Sequence, residues 1–204
     1  GNQWSMGDSI TMTGSGDMDN GMSVSVSFEI DNDDTGGGDV YDSHSITLDT
    51  NGMGTLTFAG HGGDGAVSAM DDKTPNAYEE SWDGVTQADE ETVPNGLSSD
   101  NMFTYKSPDF SGTTVTIGYV PSGIAAKTPK DGYMDFSVVN SGGIIDGLTL
   151  GLAMGESEEV VGTTIDNTIL YGTYTTGGLT LGVQKSEADG STSATTVDFQ
   201  AVGV

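Results

Sequence analysis

Residues 22–30 read MSVSVSFEI and alternate apolar with polar side chains at every position. Successive side chains of a β-strand point to opposite faces, so Val24, Val26 and Phe28 share one face while the serines and Glu29 share the other. The stretch therefore predicts a strand with one apolar face and one wet face.

The same alternation returns along the whole chain and predicts an all-β protein. About eleven strand-like segments can be recognised, with no helical stripe between them. They lie near residues 9–15, 22–30, 42–49, 55–60, 101–107, 113–120, 132–139, 147–154, 164–174, 179–185 and 193–204. The apolar face that they predict includes Val24, Val26, Phe28, Leu56, Phe58, Ile117, Phe136, Leu150, Leu181 and Phe199. Alternation of this kind fits a membrane barrel around a water-filled lumen, and equally a β-sandwich whose outer face meets water.

The links between the predicted strands separate these two architectures. Short links rich in turn residues, at 17–21, 50–54, 107–112 and 175–178, close alternate strand pairs. Longer polar links fall between them, at 31–41, 60–100, 121–131, 155–163 and 186–192. Tight turns at one end and long loops at the other are typical of outer-membrane barrels. The sequence therefore favours a transmembrane antiparallel β-barrel.

Charge and composition exclude several classes of function. Lys and Arg total 5, all of them lysines, against 31 Asp and Glu, and the formal net charge is -26. A nucleic-acid partner is excluded because the phosphate backbone is bound by clustered Lys and Arg. The chain has no cysteine, no nucleophile elbow, no phosphate loop and no zinc motif, and His44 and His61 lie apart. We therefore predict neither an enzyme nor a bound organic cofactor.

Several stretches, taken in order, resemble the Gram-negative trimeric outer-membrane porins, particularly those of the alphaproteobacterial type. They are SGDMDNGMSVSVSFEI (15–30), residues 42–72, MFTYKSPDFSGTTVTIGYV (102–120), GLTLGLAMGE (147–156) and GLTLGVQKSEAD (178–189). The resemblance implies a barrel of about sixteen strands, of which the chain carries about eleven as one partial domain, 1–204. One strand would precede Gly1 and four would follow Val204. It also implies a homotrimer in the bacterial outer membrane, in contact with lipid and lipopolysaccharide, that acts as a passive diffusion channel for small hydrophilic solutes.

In that family a loop folds inward and narrows the pore, and the resemblance places this constriction loop at residues 60–100. We predict cation selectivity, because acidic groups lower the potential that a passing ion meets. The family often sets a basic, arginine-rich cluster across from the loop, whereas this chain contains no arginine. The predicted acids of the loop are Asp64, Asp71, Asp72, Glu79, Glu80, Asp83, Asp89, Glu90 and Glu91. The predicted pore residues of the wet strand faces are Glu29, Asp135 and Asp198, with Lys106 as the cation that points into the lumen.

The acidic loops leave a second class of function open. Asp31, Asp33 and Asp42 mimic part of a calcium loop, with carboxylates at alternate positions, but the usual bidentate Glu and the flanking helices are missing. They are candidates for a weak Ca²⁺ or Mg²⁺ site, and a solvated acidic loop is the simpler reading. The alternative function is that of an acidic surface or secreted β protein, such as an adhesin or layer protein, stabilised by divalent cations.

Overall fold

The computed structural model describes residues 9–30, 41–76, 98–99, 101–121, 132–160, 163–190 and 197–204. These residues form thirteen strands and one short 3₁₀ helix at Ser68–Met70. No helix among them is long and apolar enough to cross a membrane. The strands are β1 (Ile10–Asp17), β2 (Ser23–Ile30), β3 (Tyr41–Asp49), β4 (Thr55–His61), β5 (Gly63–Asp64), β6 (Ser98–Ser99), β7 (Met102–Lys106), β8 (Thr113–Val120), β9 (Tyr133–Ser141), β10 (Leu148–Val160), β11 (Thr163–Thr176), β12 (Leu179–Gly190) and β13 (Val197–Gly203).

Eleven of these strands form one continuous antiparallel sheet. Its order is β1-β2-β3-β4-β7-β8-β9-β10-β11-β12-β13, so each strand pairs with the next strand of the sheet along the chain. Within the described residues the sheet ends at β1 and β13. The predicted all-β, antiparallel fold is confirmed, and each of the eleven predicted segments corresponds to one strand of this sheet.

The tight turns form where their residue types predict them. Asn51 and Gly52 both have positive φ, at 57° and 103°, which an Asn-Gly pair tolerates better than other residues. The Asp49 carboxylate accepts a hydrogen bond from the Asn51 N–H at 2.8 Å, and the Tyr105 hydroxyl donates to the Met53 carbonyl at 2.7 Å. The turn thus joins β3 to β4 with the register that alternation predicts.

Two strands extend beyond the segments predicted for them, into two of the predicted long links. Strand β10 continues to Val160 and β12 continues to Gly190, into the predicted links 155–163 and 186–192. Residues 155–160 contain three Glu and residues 186–190 contain one Glu and one Asp, so the apolar alternation stops although backbone pairing continues.

One face of the sheet is apolar from strand to strand. Cross-strand pairing aligns a single row of side chains across seven neighbouring strands, β2 to β10, and all of them are apolar or aromatic. Several are well exposed, including Leu56 at 41%, Ile117 at 39% and Phe136 at 42%. The row is Val24, Leu48, Leu56, Tyr105, Ile117, Phe136 and Met154. This apolar face carries nine of the ten predicted residues.

The adjacent row of the same pairing belongs to the polar face. It runs through Ser25, Thr47, Thr57, Thr104, Gly118, Asp135, Gly155, Asn167 and Ala188. Among the described residues, the buried hydrophobic cluster lies on this face and not on the apolar one. It consists of Val67, Met70, Ala153, Ile169 and Tyr171. The core thus forms where the start of the predicted long loop packs against the polar face of the sheet. We call the sheet the wall below.

Strand β13 has the opposite facing from the one predicted. Phe199 pairs with Ser186 and so lies on the polar face, whereas Asp198 pairs with Glu187 on the apolar face. There Lys185 Nζ lies 3.0 Å from Glu187 Oε2 and 3.5 Å from Asp198 Oδ1. In residues 197–204 apolar side chains occur at odd-numbered and at even-numbered positions. The pairing with β12, and not the alternation, therefore decides which side chains lie on which face.

Candidate functional site

Residues 63–76, which we call the inward segment, cross the polar face of the sheet. The segment begins where Gly63 and Asp64 pair with Ser99 and Ser98, so β5 and β6 join the two ends of the predicted long loop. It then passes through the 3₁₀ helix and reaches β12 and β13 near Pro75. Ala66 and Val67 are fully buried and Met70 is 3% exposed. The segment is therefore packed against the wall along its length.

Five glycines of the sheet lie beneath the segment, and we call them the glycine seat: Gly118, Gly151, Gly155, Gly182 and Gly203. A Cβ at Gly155 would lie 3.2 Å from Val67 Cγ2, and one at Gly151 would lie 2.7 Å from Met70 Cε. Cβ atoms at Gly182 and Gly203 would collide with Pro75. Glycine within a strand often marks a place where another backbone approaches closely, and here the segment fills that space.

Two polar side chains of the wall bind the backbone of the segment. Asp135 Oδ2 accepts hydrogen bonds from the Val67 N–H and from the Tyr133 hydroxyl, both at 2.8 Å. Asp135 is 1% exposed. Asp135 thus lies on the polar face, where the segment covers it, and its role as a pore residue stays a prediction.

Gln184 of β12 makes the second attachment. Its Oε1 accepts a hydrogen bond from the Lys73 N–H at 2.9 Å, and its Nε2 donates to the Asp71 carbonyl oxygen and to Ser186 Oγ. Gln184 is 4% exposed. Its amide therefore serves a donor and an acceptor of the segment together, which a carboxylate or a lysine could not do.

Three predicted acids lie in the inward segment. Asp64 is exposed and Asp71 and Asp72 are half-buried, while the Asp72 carboxylate accepts a hydrogen bond from Asn76 at 2.8 Å. Burial raises the pKa of the Asp71 carboxyl above its ordinary value of 3.8. The charges of Asp72 and Asp64 add to this rise, and the Asp72 backbone N–H and Lys73 oppose it. The segment thus presents several carboxylates with little compensating positive charge.

The remaining predicted pore residues fall into three groups. Glu29 and Lys106 lie on the polar face, beside Ser43 and Thr116 respectively, and Lys106 is exposed. Asp198 lies on the apolar face and is withdrawn as a lumen residue. Glu79, Glu80, Asp83, Asp89, Glu90 and Glu91 lie outside the described residues.

Away from the inward segment, the polar face is lined by hydroxyl groups. Ser25 is exposed, Thr47 and Thr57 are half-buried, and the Oγ1 atoms of these two threonines are 2.9 Å apart. A groove of about 370 Å³ on β1 to β3 is lined by Thr13, Gly14, Ser15, Ser25, Val26, Ser27, Ser45 and Thr47. This part of the wall is wet but uncharged.

The described residues do not form the candidate cation site. Asp31 and Asp33 lie outside the described residues, and of Asp42 only the backbone in β3 is described. No group of three or more His, Asp or Glu side chains that could hold a metal occurs among the described residues. The register does bring His44 opposite His61, a pairing that their separation in sequence does not reveal.

Comparison with known proteins agrees with this geometry. A family model described as Gram-negative porin matches residues 1–204. No curated protein sequence matches the chain. Among solved structures, an anion-selective porin from Comamonas acidovorans is similar at 19% identity and a TM-score of 0.63, over 95% of this chain and 61% of that one. The chain therefore spans less than two thirds of the length of that porin.

Two further solved structures are engineered variants of the porin of Rh. blastica. One is 15% identical, with a TM-score of 0.41, and the other is 14% identical, with a TM-score of 0.44. Each match covers 89% of this chain and 74% of the variant. The alphaproteobacterial type stays a prediction.

Proposed function

Because the chain belongs to the Gram-negative porin family, and so lies in the bacterial outer membrane, we propose that it forms the wall and constriction of a passive diffusion channel for small hydrophilic solutes. The family resemblance and the location predicted from sequence are confirmed, and the family is one of channel proteins. One observation carries the proposal. The inward segment packs on the polar face, while the opposite face exposes a continuous apolar surface.

The apolar and polar faces of the sheet are those expected of a barrel wall with lipid on one side and water on the other. The apolar face would contact lipid, lipopolysaccharide or a neighbouring subunit, since outer-membrane barrels turn their apolar side chains outward. A soluble acidic adhesin, the alternative function, would expose the same surface to water at a cost in solubility. The exposed apolar row therefore favours the channel.

Residues 60–100 would act as the constriction loop of this channel. Support comes from the described start of the loop, where Ala66, Val67 and Met70 are buried against the wall and Asp64 remains exposed. A segment that occupies the polar face of a barrel reduces its open cross-section. The tight turns would face the periplasm and the long loops the outside, as in the family.

We further propose that the channel prefers cations. The net charge of -26 and the absence of arginine support this preference, as do Asp64, Asp71 and Asp72 on the inward segment. The similar porin of Comamonas acidovorans is anion-selective, but at 19% identity its likeness concerns the fold and not the charges along the pore. Charge, not fold, decides which ions a wide water-filled pore admits.

Assembly as a homotrimer is also a proposal, as is Ca²⁺ or Mg²⁺ binding by the acidic loops. The full-length protein should need detergent for extraction and should migrate as a heat-sensitive trimer. Reconstituted in a planar bilayer, it should give stepwise ohmic currents. A protein that dissolves without detergent, loses its fold in chelator and carries no current would instead be the acidic surface protein.

A further inference from the structure

Asp135 is a buried carboxylate that the diffusion of ions through an open pore does not require. We infer that Asp135 is a positioning residue, whose carboxylate holds the start of the 3₁₀ helix against the wall and so sets how far the inward segment projects into the pore. The inference rests on the proposed channel function only for its effect on permeation. The docking of the segment can be tested by itself.

The helix depends on the wall for its first acceptor. Val67 is the N-cap residue and makes no side-chain capping bond, since its own side chain is apolar. The Val67 N–H is buried and donates to Asp135 Oδ2. Removal of that acceptor would leave a buried donor without a partner, which opposes docking more strongly than loss of an exposed hydrogen bond.

The neighbouring strands leave room for a carboxylate at this place. Both cross-strand partners of Asp135 are glycines, Gly118 on β8 and Gly155 on β10. A Cβ at Gly118 would collide with Asp135 Oδ1, and a Cβ at Gly155 would lie 2.6 Å from Asp135 Cβ and 2.9 Å from the Tyr133 hydroxyl. The space on both sides is thus fitted to this side chain and to the helix above it.

Asp135 holds the helix as a hydrogen-bond acceptor, and its negative charge is not needed for these contacts. Both hydrogen bonds end on Oδ2, and Oδ1 has no hydrogen-bond partner among the residues that the structure describes. No lysine forms an ion pair with Asp135 in the described part of the chain. An amide oxygen at the same position could accept both hydrogen bonds. The Asp135→Asn variant should therefore keep the helix in place, whereas Asp135→Ala should not.

The hydrogen bonds of Gln184 should confine the effect of losing the Asp135 acceptor to the start of the inward segment. Gln184 binds Lys73 and Asp71, at the far end of the segment. Loss of the Asp135 acceptor should therefore release the helix at Val67 while residues 71–73 stay on the wall. The expected result is a pore with altered conductance and larger current noise, not a barrel that fails to assemble.

Thiol labelling tests this directly, because the chain has no cysteine and Val67 is fully buried. In the full-length protein in detergent, Val67→Cys should react slowly with a maleimide. Adding Asp135→Ala should speed the reaction about tenfold, the change in open population that loss of one buried hydrogen bond produces. Adding Asp135→Asn should leave the rate near that of Val67→Cys alone. Asp166→Ala, which removes an exposed carboxylate from the apolar face, is the matched control and should change nothing.

Single-channel recording of the variants without the added cysteine gives the second readout. Asp135→Ala should alter conductance and noise, and Asp135→Asn should restore both, while all variants keep heat-sensitive oligomers. Equal labelling rates in the Asp135→Ala and Asp166→Ala backgrounds would overturn the inference, as would an Asn variant as reactive as the Ala variant. A protein that labels as expected but carries no current would contradict the channel proposal and leave the positioning role intact.

Discussion

Gly155 lies directly beneath Val67, so that a Cβ at Gly155 would come within 3.2 Å of Val67 Cγ2. The two residues belong to the wall and to the inward segment, and their approach defines how deeply the segment is seated. A strand glycine is usually a weakness, because it gives up side-chain packing and backbone entropy. Here the missing side chain is what allows the segment to lie on the wall.

Enlarging Gly155 should therefore displace both the segment and the Asp135 side chain that binds it, since a Cβ there would also lie 2.6 Å from Asp135 Cβ. We expect Gly155→Val to destabilise the docked segment by about 1–3 kcal/mol, the usual cost of overpacking a well-filled site. Thermal unfolding and single-channel conductance measure the effect. Gly16→Ala is the control, since nothing lies within 4 Å of a Cβ at Gly16. A Gly155→Val channel with unchanged conductance and stability would show that the glycine seat does not hold the segment.

Arginine on the apolar face should impair assembly. Val26→Arg and Leu181→Arg should each cost about 2–4 kcal/mol if they lie near mid-membrane, because a cation then faces hydrocarbon. Ser25→Arg is the matched control, since Ser25 neighbours Val26 but belongs to the polar face. The fraction of heat-sensitive oligomer in the outer membrane is the measurement. Equal assembly of Val26→Arg and Ser25→Arg would contradict the assignment of the two faces.

The selectivity of the pore should weaken as the pH falls, beginning with Asp71. Burial raises the pKa of the Asp71 carboxyl, so this group takes up a proton at a higher pH than an exposed aspartate with the ordinary value of 3.8. Cation preference should decline as pH falls through the raised pKa. Asp71→Asn should have a lower preference at neutral pH and should lack the first part of this decline. Reversal potentials measured over a pH series decide this, and an identical pH profile for Asp71→Asn would remove Asp71 from the selectivity element.

The same pKa shift affects the docking of the segment. The docked state binds the Asp71 proton more tightly than a released segment does, because the carboxyl is more buried when docked. Docking is therefore most favourable below the ordinary value of 3.8, and it weakens as the pH rises from there through the raised pKa. Gln184 binds the Asp71 carbonyl in either protonation state, so the segment stays seated at neutral pH.

The strands could be predicted from sequence because alternation is a local property. A row such as Val24, Leu48 and Leu56 only needs each strand to place its apolar residues at every second position. The face on which each side chain of β13 lies could not be predicted. Phe199 and Val202 are both apolar, but they lie at odd- and even-numbered positions and so on opposite faces. Only the pairing of Asp198 with Glu187 decides it.

The contacts of the inward segment with the sheet could not be predicted from the sequence. The acidic loop and the polar position of Asp135 follow from the sequence, yet nothing local shows that the segment covers Asp135 or binds Gln184. Those contacts join residues 68 and 111 positions apart. Glycines at polar strand positions, such as Gly151 and Gly155, were the available signal, because they mark a close backbone approach.

The reversal potential of the reconstituted full-length channel in a potassium chloride gradient tests the central claim most directly. We expect the sign that corresponds to potassium preference, because the chain has 31 Asp and Glu against 5 Lys and because Asp64, Asp71 and Asp72 lie on the inward segment. Neutralising Asp71, Asp72, Glu79 and Glu80 together should bring the potential towards zero, whereas Asp166→Asn on the apolar face should leave it unchanged. A channel that prefers chloride, or one whose potential is unaffected by the four neutral replacements, would contradict the account.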